Sequence, residues 1–203
     1  MIYWCMASIL MHLAVAREYL KKHPGEIADE TAFYDGNVLP DLVPDKAASH
    51  YGKRSATNDL VKYNAEKVSL QKFLQHNTVD TDQKRGEFLH LYTDYCFYND
   101  LFPKEYLKTV SFDQITKDGI YTFETYNDYL IDKYRVRHGL TSMEQRLDSF
   151  IENAQKNEIA LWGKNFTGHV IFTREELDGF IEKMAGINIS HLADFWRHRS
   201  ELH

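Results

Sequence analysis

The chain has 203 residues, 43% hydrophobic and 27% charged, a composition that excludes a disordered polymer and suits one core in one domain across residues 1–203. Its formal net charge of -6 argues against nucleic acid or an anionic membrane surface as partner, since both reward clustered Lys and Arg. Two cysteines, Cys5 and Cys96, make no disulfide framework, and their apolar surroundings suit buried free thiols. No apolar run approaches a membrane span, and the opening "MIYWCMASILMHLAVA" lacks the basic start of a signal peptide. The expected location is therefore cytoplasmic.

Taken in chain order, apolar residues recur at helical spacing from Ser8 to His23 (Ile9, Leu13, Ala16, Leu20), and Pro24-Gly25 ends the pattern. The next stretch, "ADETAFYDGNVLPDLVPDKAASHYGKR", holds two of the four prolines and the turn dipeptide Asp35-Gly36. It reads as mostly irregular, with at most a helical turn near Glu30. Helical pattern returns over Ala65–His76, and again in a helix opened by Asp80 or Thr81 that carries "EFLHLYTDYCFYND". Further helices are expected over Phe112–Tyr134, Ser142–Ala154 and Arg174–Trp196, the last opened by a Thr173-x-x-Glu176 capping box. "IALWGKNFTGHVIFT" is the least helical segment and reads as a short strand or extended loop. The fold class is all-α, with about six or seven helices.

The chemistry concentrates in histidines and carboxylates. His90 and Asp94 stand one helical turn apart, so they can offer a nitrogen and an oxygen to one cation. The same spacing is common in surface pairs. Phe88, Leu91, Tyr92, Tyr95 and Cys96, however, make this helix apolar over most of its circumference. A carboxylate buried there needs a partner, and Glu87–Asp100 contains no Lys or Arg to supply one. His12 in the apolar first helix, Asp41 after Pro40 and His50 in "DKAASHY" are three further candidates. Singly they read as a core histidine, a turn aspartate and a surface histidine; their order along the chain says more than any one of them. Lys53 and Arg54 are candidate contacts for a substrate phosphate, against the simpler reading of a solvated loop. Tyr34, Tyr51 and Tyr92 are candidate pocket walls, against ordinary core packing.

The order His12, Asp41, His50, His90, Asp94, with "MASILMHLAVA" leading, "FYDGNVLPDLV" and "DKAASHY" between and "FLHLYTD" closing, resembles the zinc-dependent phospholipase C family. It is also similar to the related zinc-dependent single-strand nucleases. The likeness is greatest to small intracellular bacterial members with a similar Met-Ala-Ser helix and a Gly-Asn-x-x-Pro-Asp loop, and it covers the first half of the chain, to about Asn99. The resemblance implies that Asp41, His50, His90 and Asp94 bind one zinc. It implies a second ion on His12, with Asp94 bridging. Two such ions about 3.5–4 Å apart can activate a water and stabilise both oxygens of a phosphoryl displacement, and Asp41 would orient that water. Iron, manganese or nickel accept the same ligands.

Departures from the family pattern limit what carries over. Secreted relatives hold a third ion with a His-x-x-x-Glu pair. Of the later histidines, His138, His169, His191, His198 and His203, none has a carboxylate four residues on. His191-x-x-Asp194 and His198-x-x-Glu201 read as surface pairs, leaving a mononuclear or dinuclear centre. Those relatives also bind metal through a free N-terminal amine. Ala7 would present one if translation began at Met6 and that Met were removed.

Two enzyme alternatives fail on the sequence. A ferritin-like di-iron bundle needs a second Glu-x-x-His besides Glu87-x-x-His90, and a His-Asp phosphohydrolase needs a His-Asp dipeptide; neither occurs. The expectation is thus a metal-dependent hydrolase of a small phosphoester substrate, with zinc as the first choice of ion. The alternative is a non-catalytic helical metal-binding domain acting through protein partners.

Overall fold

A computed structural model describes residues 8–52, 68–101 and 103–199. Ser8 starts the first helix, its hydroxyl accepting from the Leu10 amide. The helix α1 (Ile9–Lys22) buries Ile9 through Ala16 without interruption, His12 included, and its exposed residues, Lys21 and Lys22, lie in the last turn. It is the central element. The elements packed on it are α2 (Glu30–Leu42), α5 (Asp82–Cys96), α7 (Phe112–Tyr134) and α9 (Arg174–Ala185). Between these run the short α3 (Lys46–Ser49), α4 (Leu70–His76) and α6 (Lys104–Thr109), then α8 (Glu144–Trp162) and the last helix α10 (Ile189–His198). A π-helical turn, Phe97–Leu101, continues α5.

The all-α class therefore holds. Among the described residues seven helices have ten residues or more, and the only β pairing is an isolated bridge between Tyr51 and Val68. No helix there is long and apolar enough to cross a membrane.

The largest departure from the sequence reading is α2. The stretch expected to be irregular is a helix of 13 residues, capped by Asp29, whose side chain accepts from the Ala32 amide. Asp35-Gly36 is no turn: Gly36 lies in mid-helix, where it lets α5 approach. A Cβ at Gly36 would stand 1.9 Å from the Gln83 carbonyl oxygen, and one at Gly86 would stand 2.0 Å from that of Phe33. The two backbones thus touch through reciprocal glycines, which outweighs the roughly 1 kcal/mol each glycine costs a helix. Pro40 sits inside α2 and removes the amide that would have bonded to Gly36. The contact with α5 holds the helix together across both breakers.

Other boundaries moved for local reasons. The helix expected over Arg174–Trp196 is two, because Gly186 ends α9, donating to Glu182 and Lys183, and Asn188 caps α10 through the His191 amide. The capping box of Thr173 and Glu176 forms as expected. The helix expected to end at Ala154 runs on to Trp162 and stops at Gly163, whose φ of 84° favours glycine. Residues 163–173 then run without a strand.

That loop is tied to α7 by Asp118. This carboxylate, with no exposed surface, accepts from the Tyr106 hydroxyl, the Gln114 side-chain amide at 2.8 Å and the His169 backbone amide at 2.8 Å. The main core is aromatic, with Tyr19, Phe33, Phe73, Phe88 and Phe97 fully buried. Each such ring contributes about 1.5–3 kcal/mol by leaving water. Tyr34 belongs to this core, and Tyr51 and Tyr92 pack against it, so all three take the packing role. Cys96 is a buried free thiol; Cys5 lies outside the described residues.

Candidate metal centre

All five residues singled out in the sequence meet in one buried cluster. His12 comes from the middle of α1, Asp41 from the last turn of α2, His50 from the end of α3, and His90 with Asp94 from successive turns of α5. Their exposures are 0%, 3%, 2%, 0% and 0% in that order. The Nε2 atoms of His50 and His90 are 3.1 Å apart. Asp94 Oδ2 lies 3.2 Å from His50 Nε2 and 3.7 Å from His90 Nε2, while Asp94 Oδ1 lies 3.2 Å from His12 Nε2. Asp41 Oδ1 is 4.0 Å from His50 Nε2. The His12 and His90 rings stack at 3.8 Å.

Hydrogen bonds at the far side of two rings fix which atoms face inward. His90 Nδ1 is 2.7 Å from the Asn37 carbonyl, and His50 Nδ1 is 3.0 Å from the Lys46 carbonyl. The Asn37 carbonyl can only accept, so His90 Nδ1 carries the proton and its Nε2 presents a lone pair in the neutral ring. His50 Nδ1 also lies 2.9 Å from the Ser49 hydroxyl, which can donate or accept. The two Nε2 atoms, with a carboxylate oxygen beside them, form a tight buried group of nitrogen and oxygen atoms that could hold a cation. Both nitrogens of His12 and both oxygens of Asp94 are buried without a hydrogen-bond partner. Such atoms cost about 1–3 kcal/mol each if nothing meets them.

The spacing suits an ion. Ligands arranged tetrahedrally about 2.0–2.1 Å from zinc stand about 3.3 Å from one another. The site can hold a metal ion in two overlapping groupings, His12 with His90 and Asp94, or Asp41 with His50 and His90. His90 has only one free nitrogen, so the two groupings compete for it. Charge is also suited. Burial, reinforced by His12, pushes the His90 ring down to about 3, which keeps it a neutral ligand. Burial opposes the charge of Asp94, but the surrounding imidazoles, His12 first, outweigh it and hold the carboxyl well below its ordinary range. At Asp41 burial is likewise outweighed, chiefly by the Lys46 ammonium, and the carboxyl lies below its ordinary value.

Lys46 is the member the sequence reading missed. Its Nζ lies 2.5 Å from Asp41 Oδ1 and 2.6 Å from the Asp41 carbonyl oxygen. The signal was present in "PDLVPDKAASHY", where a lysine follows the aspartate by five residues across a proline turn. Asn37, whose carbonyl accepts from His90 Nδ1, lies in the same segment and was hidden by reading it as loop. Lys53 and Arg54 lie outside the described residues, as does the N-terminal segment with Met6 and Ala7. His138, His169, His191 and His198 are exposed and stand apart from the cluster. Glu87 turns to Lys84 at 2.6 Å and takes no part in it.

Comparison with family models, with curated proteins and with solved structures finds no match to this chain.

Proposed function

We propose that the protein is a metal-dependent hydrolase of phosphate esters, with zinc the preferred ion and His12, Asp41, His50, His90 and Asp94 as its ligands. The observation that carries the reading is the buried convergence of nitrogen and oxygen atoms: two histidine Nε2 atoms at 3.1 Å and both oxygens of a buried aspartate, in groups that could hold a metal ion. The donor set of imidazole and carboxylate suits zinc, and also iron or manganese. The order of the five residues, similar to that of the zinc-dependent phospholipase C family, supports phosphate esters as substrates. Bound there, a divalent ion supplies a Lewis acid and an activated water. The chain's own residues do the rest. Asn37 and Lys46 carbonyls fix the ring orientations of His90 and His50, and Asp41, held by Lys46, orients the attacking water.

A second reading is favoured by one observation. His12, His90 and Asp94 have no exposed surface at all, as suits a closed, structural site in a domain that acts through protein partners. Elemental analysis of purified protein followed by a panel of phosphomonoesters and phosphodiesters separates the two. The hydrolase predicts near-stoichiometric metal and turnover that vanishes with chelation and in Asp94→Asn. Bound metal with no turnover on any ester would establish the structural reading instead.

A further inference from the structure

We infer that Lys46 is the anchor for the anionic group of the substrate, an inference that rests on the hydrolase reading above. Its side chain is 27% exposed, whereas that of the aspartate it touches is 3% exposed. The ammonium therefore stands between the buried ligands and solvent, where an incoming anion first meets the site. Its Nζ carries three N–H donors. Two reach the oxygens of Asp41, its hydrogen-bond acceptors among the described residues, so a third donor is unengaged among them. The Phe150 ring, 5.1 Å from Nζ, packs beside the ammonium.

Charge and reach agree with this role. Asp41 and Asp94 contribute two negative charges, His90 is neutral, and Lys46 returns one positive charge. One divalent ion on the cluster leaves it a complement for an anion. Asp41 Oδ1 touches Nζ at 2.5 Å and stands 4.0 Å from His50 Nε2, so a single oxygen separates the ammonium from the metal ligands. A tetrahedral phosphate bridges such a distance, one oxygen toward the ion and another on Lys46, as a charge-assisted hydrogen bond.

The test is calorimetric titration of inorganic phosphate into the zinc-loaded full chain, wild type against Lys46→Gln and Lys46→Arg, with the zinc content of each measured. Lys46→Gln is expected to keep its zinc and to bind phosphate about tenfold or more weaker, the loss of one charged hydrogen bond. Lys46→Arg is expected to stay within about threefold of wild type, since it keeps the charge. Equal affinity in wild type and Lys46→Gln overturns the inference while the hydrolase reading stands. Loss of zinc from Lys46→Gln also overturns it, making the lysine a support for Asp41. A zinc-loaded wild type that neither binds phosphate nor cleaves any ester overturns both. A second measurement needs no folded variant: acetylation of wild-type lysines, followed by mass spectrometry. Phosphate is expected to slow labelling of Lys46 while the exposed Lys156 reacts unchanged; equal rates at Lys46 with and without phosphate overturn the inference.

Discussion

Asp118 on α7 and Asp94 on α5 are buried to the same degree, yet their surroundings are completed differently. Every approach to Asp118 brings a donor: a phenol, a side-chain amide and a backbone amide. Asp94 lies among three imidazoles, and no amide or hydroxyl donor reaches either of its oxygens among the described residues. Protein groups finish the first site, and it serves as a bolt between α7 and the loop before α9. The second is met by imidazole rings and could hold a cation. The same residue type therefore closes a structural contact in one place and lines a candidate metal site in the other, and hydrogen-bond completion tells them apart.

The contrast can be broken most forcefully with zinc itself. Saturating zinc at about 1,000 times its Kd is expected to stabilise the chain by about 4 kcal/mol. That raises the melting temperature by about 8–16 °C at this size. Asp94→Asn should abolish the rise in a thermal melt, and Asp118→Asn should leave it intact. A full rise in Asp94→Asn would end the distinction. Next in size is Gly86→Ala, whose methyl would meet the Phe33 carbonyl in the α2–α5 contact. Destabilisation of about 3 kcal/mol in urea is expected, with weaker zinc binding in a chelator competition because the Asn37 carbonyl shifts from His90.

Asp118→Asn should cost about 2 kcal/mol at neutral pH, the worth of hydrogen bonds to a charged acceptor. Burial raises this carboxyl, but Tyr106, Gln114 and the His169 amide outweigh it, so it lies below the ordinary 3.8 in the fold. A depressed value means the stabilisation is full above 3.8 and disappears as pH falls through the folded value. Wild type and variant should therefore differ most at neutral pH and converge in strong acid, as urea midpoints against pH will show. The smallest effect belongs to a carboxylate with no donor and no cation on it among the described residues. Burial and the charge of Glu124 push Glu158 up to about 7. Its folded value exceeds the unfolded 4.5, so whatever it contributes is present below 4.5 and lost as pH rises through 7. Glu158→Gln should raise the melting temperature slightly at pH 8 and leave it unchanged at pH 4.

The sequence made the all-α class and three of the five cluster residues legible for a shared reason: the apolar pattern on α1 and α5 made polar interruptions at His12, His90 and Asp94 conspicuous. Asp41 and His50 were found by their order along the chain, with no help from periodicity. What stayed hidden depends on tertiary contact. Asp35-Gly36 and Pro40 are turn residues by local propensity, and only the backbone of α5 against Gly36 makes a helix of them. Lys46 could not be paired with Asp41 until α2 was known to bring the aspartate to the start of α3. The split at Gly186 was readable from its glycine and the Asn188 cap, and was passed over because the apolar pattern ran through it.

The paired glycines of α2 and α5 have a thermodynamic result for any ion that arrives. Main chain rests on main chain there, so the imidazole of His90 is aimed before any ion binds. The conformational entropy of placing that ring is spent when the core forms, so uptake is expected to leave far-ultraviolet circular dichroism unchanged. A site so placed is preorganised: treated with a chelator, the chain is expected to keep its helices.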